Sequence, residues 1–154
     1  MKPREAMGRL LFWLTWPGLF IWLPRTRRAR VLVVSGHRIL LVRSWLSAGA
    51  WHLPGGGQKS GETPRLAAQR ELFQETSLQV SKKALHTLGN SWQRHAGLTT
   101  KYTVFWTTIN KPRARCSSEI IDCIWADPKK LPTNCEPQVR EVLAVWQQET
   151  GLLK

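Results

Sequence analysis

From residue 30 onward the spacing of apolar and polar positions switches between a strand period and a helix period. Arg30 to Val34 and Arg38 to Val42 are β-branched and aliphatic runs, and Ser35-Gly36-His37 between them suits a tight hairpin. Trp51-His52-Leu53 predicts a short strand stopping at Pro54, and Gly55-Gly56-Gly57 predicts a loop. Thr63 to Thr76 has a helical pattern: Thr63 can cap it, Pro64 suits the first helical position, and Leu66, Ala67, Leu72 and Phe73 form an apolar stripe. Strand-like runs follow at 78–80, 84–92 and 101–109, then Glu119 to Trp125. Asp127 to Pro132 is turn-rich. Glu136 to Gln148 predicts a closing helix, with Val139, Val142, Leu143 and Trp146 at helical spacing. This β-rich order, with one central and one terminal helix, predicts an α/β sandwich.

The chain before residue 30 has a different pattern. Leu10 to Leu23 reads LLFWLTWPGLFIWL, uncharged and with Trp13, Trp16 and Trp22. As one helix these residues rise about 21 Å, short of the roughly 30 Å hydrocarbon core, and Pro17-Gly18 predicts a break in the middle. Both flanks are basic: Lys2, Arg4 and Arg9 before, Arg25, Arg27, Arg28 and Arg30 after. A spanning segment usually carries its positive excess on one side, and tryptophan favours the headgroup region. Residues 1–29 are therefore expected to form a short hydrophobic helical segment on an anionic membrane surface, with both ends on the cytoplasmic face. A spanning helix, a cleaved signal peptide and a helix packed on protein are the alternatives; no small-x-small cleavage site follows Leu23. The globular domain is expected over 30–154.

The formal net charge is +13 in 154 residues, and residues 1–30 hold seven basic side chains against Glu5. Such a field favours polyanions: nucleotides, nucleic acid or acidic lipid. Cys116, Cys123 and Cys135 are odd in number and form no CxxC pair, which reads as three reduced thiols rather than a disulfide frame or a zinc site.

The chemistry concentrates in Leu53 to Leu78. Glu71 and Glu75 lie four apart on the predicted helix, with Gln74 three from Glu71, so all three share a face. An acidic face repels itself unless a positive charge neutralises it. Oxygen-rich groups of this kind suit magnesium, which keeps several waters and takes a few carboxylates plus phosphate oxygens. The glycine loop upstream lets backbone groups approach a metal or phosphate. Arg70 can pair with Glu62 and brace loop against helix.

The joint spacing resembles the Nudix box, Gx5Ex7REUxEExGU, where U is a bulky aliphatic residue. With Gly56 as the first glycine, Glu62, Arg70, Glu71, Leu72, Glu75 and Leu78 fall in register without a gap. Gln74 stands where the family has the first glutamate of its EE pair, and Ser77 where it has glycine. If that glycine needs positive φ, Ser77 carries modest backbone strain. The resemblance extends less specifically from about Arg30 to Leu153. It implies an α/β/α sandwich with a mixed sheet and Mg2+-dependent (Mn2+ is also suited) hydrolysis of a phosphoanhydride in a nucleoside di- or triphosphate or a nucleoside diphosphate-linked substrate. By resemblance Glu71 and Glu75 bind metal and act in catalysis, the Gly56 carbonyl and Gln74 assist as ligands, and Glu62 and Arg70 hold the motif's geometry. Glu119 is the candidate for the further carboxylate that family members place on a later loop.

The substrate is less defined. Arg43, Trp45 and Trp51 are candidates to bind its phosphate and base, as are Trp92 and Arg94. Positions 90–96 carry neither the proline nor the tyrosine typical of the ADP-ribose and diadenosine polyphosphate branches. Two rivals remain: a membrane-bound nucleotide sensor with weak or no turnover, because Gln74 removes a carboxylate, and a basic nucleic-acid-binding module. The last lacks any recognisable RNA or DNA motif, so the expected partners are a nucleotide-like small molecule and an anionic membrane. No oligomeric state follows from these patterns.

Overall fold

The computed structural model describes residues 25–47, 49–95 and 98–151. Its strands are β1 (Arg25–Ser35), β2 (Arg38–Ser44), β3 (His86–His95), β4 (Leu98–Thr108) and β5 (Ile120–Ala126), and its helices are α1 (Pro64–Thr76) and α2 (Pro137–Thr150). They form one five-stranded sheet in the order β3-β4-β1-β2-β5. β1 and β4 run parallel and the other pairs are antiparallel.

Both faces of the sheet are covered, so its central strands are apolar on both sides rather than alternating. Ala29, Val31 and Val33 of β1 pack with Leu40, Phe105 and the α1 residues Ala67, Ala68 and Leu72. Leu32 and Val34 pack on the opposite face with Ile39, Leu41, Val104 and the α2 residues Val139, Val142, Leu143 and Trp146. At about 1.5–3 kcal/mol for each large apolar side chain buried, these two clusters fix where the helices lie. The result is the expected α/β/α sandwich with a mixed sheet.

α1 begins as its sequence indicates, with the Thr63 hydroxyl accepting from Leu66 N–H and Pro64 at the start. Its buried stripe differs from the expected one. Ala67, Ala68, Leu72, Glu75 and Thr76 face inward, whereas Phe73 is exposed. The helix ends at Ser77, which adopts φ 59° and ψ 13°. The expected strand at 78–80 is coil leading to a 3-10 turn at Lys82–Ala84, where the Ser81 hydroxyl accepts from Ala84 N–H. Trp51-His52-Leu53 contributes only single bridges, His52 to Val42 and Trp51 to Cys135.

Two features move the expected borders. β1 begins at Arg25, so the basic residues Arg25, Arg27 and Arg28 lie in a strand paired with β4. β5 begins at Ile120 and leaves Glu119 in the preceding turn. The reading of three reduced thiols is corrected: Cys116 and Cys123 form a disulfide that ties this turn to β5, and Cys135 alone is free. Residues 116 and 123 are seven apart and form no CxxC motif, and the turn before β5 is what brings them together. The hydrophobic segment at 10–23 lies outside the described residues. Among the described residues no helix is long and apolar enough to cross a membrane.

Candidate active site

The site is built where the glycine loop crosses the C-terminal half of α1. The loop adds a short pairing to the free edge of β1: Ala29 N–H donates to Gly56 O at 3.0 Å, Val31 N–H to Pro54 O at 2.9 Å, and Gln58 N–H to Arg27 O at 2.9 Å. The Arg30 side chain is buried against two other carbonyls of this loop. Its Nη1 donates to Leu53 O at 2.8 Å and to Gly55 O at 2.9 Å. The same nitrogen lies 2.9 Å from His52 Nδ1. His52 Nδ1 also lies 3.0 Å from Leu53 O, so ring, guanidinium and carbonyl form one buried cluster. Burial, then the Arg30 charge, pushes the His52 pKa down to about 3, which keeps the ring neutral. Arg30 also stands 3.9 Å from Glu136 Oε2 at the start of α2.

Two consecutive loop residues meet the two motif carboxylates. Gly55 N–H donates to Glu75 Oε2 at 2.8 Å. Gly55 has φ +136°, and a Cβ there would lie 2.1 Å from the Ala29 carbonyl oxygen. A Cβ on Gly56 would lie 2.6–2.8 Å from the Glu71 carboxylate. Both positions therefore require the absence of a side chain, one against backbone and one against the carboxylate itself.

Arg70 organises the neighbouring charges. It grips Glu62 with two bonds, Nε to Oε1 at 2.8 Å and Nη2 to Oε2 at 2.7 Å. It also donates to Glu71 Oε1 at 2.6 Å, Gln74 Oε1 at 3.0 Å and Gly57 O at 2.9 Å. The bidentate Arg70 bond holds the Glu62 carboxyl down at about 2. The expected brace between loop and helix is thus present, and the same guanidinium reaches the motif's Glu71 and Gln74.

Glu75 is treated differently. Burial pushes its carboxyl up to about 7, against the Gly55 N–H and the Arg30 charge, with Glu71 and Glu119 adding repulsion. Among the described residues its carboxylate takes one hydrogen bond, from the loop, and a cation brought beside it would relieve the cost of its charge. Glu119 is exposed, in the turn before β5. That turn is docked on the end of α1 by Arg115 N–H to Thr76 O at 2.8 Å and Ser117 N–H to Glu75 O at 3.0 Å. Glu119 thereby comes within electrostatic reach of Glu75.

The donor set suits a hard divalent cation. Two carboxylates, an amide oxygen and loop carbonyls are all oxygen ligands of the kind magnesium takes. Among the described residues no three His, Cys, Asp or Glu side chains form a metal-holding cluster. Glu71 and Glu119 both lie within electrostatic reach of Glu75.

The other candidates lie elsewhere. Trp51 belongs to the core on the α2 face, and the Arg43 guanidinium sits 5.1 Å from its ring while approaching Asp122 at 3.7 Å. Trp45 is half-buried in the 3-10 turn after β2. An open cleft of about 600 Å³ follows the outer side of α1 between Arg70, Phe73 and Val80, and neither Glu71 nor Glu75 lines it. Sequence reasoning missed the roles of Arg30 and His52. The available signal was one arginine heading an otherwise apolar strand run. It also missed the 115–119 turn, which has no local pattern.

This fold and loop–helix site define a Nudix domain: the NUDIX domain family model matches residues 24–146, and the chain belongs to that family. It is 34% identical over 105 residues to the oxidized purine nucleoside triphosphate hydrolase of Danio rerio, a match covering 66% of this chain and 66% of that relative. Thus slightly under two thirds of the relative's length is spanned. Among solved structures, a MutT Nudix hydrolase from Burkholderia pseudomallei superposes with TM-score 0.71 at 21% identity, over 78% of this chain and 96% of that one. The bifunctional NMN adenylyltransferase/ADP ribose pyrophosphatase of Francisella tularensis, complexed with AMP and a manganese ion, gives TM-score 0.74 at 18% identity, over 95% and 48%. A C. elegans Ap4A hydrolase gives 0.71 at 16%, over 83% and 99%. At these identities the structural matches speak for the fold.

Proposed function

We propose that this Nudix domain hydrolyses a phosphoanhydride bond in a nucleoside di- or triphosphate, or in a nucleoside diphosphate-linked compound, using Mg2+ or Mn2+. The observation that carries the reading is the seating of Glu75 and Glu71 against the consecutive glycines Gly55 and Gly56. Glu71, Glu75, the Gly56 carbonyl and the Gln74 amide would hold the metal, which supplies charge neutralisation for the diphosphate and a more acidic water. The chain's own contribution is positioning. Arg70 fixes Glu71 against the loop, and Arg30 fixes the loop against β1. Glu75, buried beside the glycine loop, is a carboxylate placed to hold the metal or to take a proton. Glu119 is the second carboxylate for that role, supported by its turn being docked on α1.

The zebrafish relative is named for oxidised purine nucleoside triphosphates, so these head the substrate panel. Release of phosphate or pyrophosphate from a panel of nucleotides, with and without Mg2+, tests the reading; no turnover of any member would remove it. A binding-only protein is the second reading, favoured by Gln74, whose amide replaces a motif carboxylate and is held by Arg70. Tight nucleotide binding without turnover identifies it.

We further propose that residues 1–24 hold the domain on the cytoplasmic face of a membrane. Fourteen uncharged residues at 10–23, with tryptophans and a Pro17-Gly18 break, support this. A cysteine at residue 3 should resist a membrane-impermeant thiol reagent in intact cells. Labelling from outside would show that the segment spans.

A further inference from the structure

The α1 face of the sheet is covered only in part. Ala29, Val31 and Phe105 lie under α1, but the next cross-strand row toward the start of β1 is Arg27, Lys101 and Trp92, and it is not part of that core. Arg27 is exposed and Trp92 is 62% exposed, the most open large apolar side chain among the described residues. Lys101 Nζ lies 5.6 Å from the Trp92 ring centroid, so the two share this face. The backbone row beyond it is Arg25, Thr99 and Arg94. β1, β3 and β4 together contain six Arg or Lys residues and no Asp or Glu. Among the described residues Arg27 and Lys101 form no ion pair.

We propose that the Arg27–Lys101–Trp92 row is a docking surface for an anionic lipid membrane, which seats the folded domain itself on the bilayer. The proposal rests on the membrane reading of residues 1–24 and adds a second, folded contact to it. Charge complementarity selects an anionic occupant, and an exposed tryptophan flanked by cations suits the headgroup layer, where ring and N–H are both satisfied. The position of the row selects lipid over nucleic acid. The apolar run ends at Leu23, two residues before β1 starts at Arg25, so a bilayer holding that run lies beside this end of the sheet. The Arg27 carbonyl also holds the glycine loop through Gln58 N–H, so this docking brings the catalytic loop near the lipid surface.

The test uses the full chain and cosedimentation with phosphatidylcholine vesicles, with and without phosphatidylserine. About 1 kcal/mol per basic residue near an anionic surface corresponds to about fivefold each. The pair Arg27→Gln/Lys101→Gln should therefore weaken binding to the anionic vesicles about 30-fold, at an unchanged melting temperature. The pair Arg27→Lys/Lys101→Arg should bind like wild type, and Trp92→Ala should weaken binding to both vesicle types. Equal binding by wild type and the double glutamine variant would overturn this surface while leaving the N-terminal anchor standing. Failure of the wild type to bind either vesicle would overturn both. Binding of polyuridylate through the same residues, without vesicle binding, would assign the row to nucleic acid and overturn the proposal.

Discussion

Gly55 and Glu75 are twenty residues apart, and the backbone N–H of the first donates to the carboxylate of the second at 2.8 Å inside the protein. That bond holds a carboxyl group which burial otherwise drives toward its protonated form. In the unfolded chain Glu75 ionises near 4.5 and in the fold near 7. The folded state thus binds the extra proton, and its stability is full below 4.5 and declines as pH rises toward 7. The decline should amount to about 3 kcal/mol in metal-free protein. Glu75→Gln should remove it. Denaturant unfolding of both proteins across this window checks the point, and parallel pH profiles would refute it.

Gln74 replaces a carboxylate at the edge of the site and accepts from Arg70 at 3.0 Å. Gln74→Glu should keep that bond and add a negative charge. Magnesium binding should tighten about fivefold, the effect of ~1 kcal/mol for one charge at a partly exposed position, with turnover raised or preserved. Titration with Mg2+ measures it. Weaker binding with an unchanged fold would give Gln74 a different role.

The two loop glycines should fail in different ways. A Cβ on Gly55 meets the Ala29 backbone and sits at φ +136°, so Gly55→Ala should destabilise the fold by several kcal/mol. The three atoms nearest a Cβ on Gly56 all belong to the Glu71 carboxylate, a side-chain end that can swing away. Gly56→Ala should therefore melt near the wild type and lose metal-dependent turnover. Similar melting temperatures for both variants would contradict the distinction.

Ser77 ends α1 in the left-handed region, where a Cβ costs about 1–2 kcal/mol. Ser77→Gly should raise stability by about 1 kcal/mol and the melting temperature by about 3 °C. A lower melting temperature would show that the serine is compensated.

The elements legible from sequence were those whose signals are local. The Thr63 cap, Pro64 and the spacing of Glu71 and Glu75 place α1 and its face, and the Glu62–Arg70 pair follows from the same register. What was not legible depends on strand pairing. Arg25 to Ala29 read as the flank of an apolar run, because only β4 and the glycine loop reveal that they form a strand. Cys116 meets Cys123 only once the turn before β5 is folded. Phe73 fits a helical stripe by spacing, yet β-sheet contact selects Ala68 and Thr76 instead, since small residues allow the helix to approach. Arg43 and Trp51 do meet, but across the sheet from the carboxylates, with the loop from Leu53 connecting the two faces.

The central claim is that Glu75, seated on Gly55, belongs to a metal-dependent hydrolytic site. Single-turnover and steady-state hydrolysis of an oxidised purine nucleoside triphosphate and its unmodified counterpart, with saturating Mg2+, should be compared for wild type and Glu75→Gln. Wild type should turn over at least one of them, only with metal, and the variant should lose at least about 100-fold in kcat, as removal of a general base does, while retaining its fold. Turnover by Glu75→Gln at the wild-type rate would contradict the account.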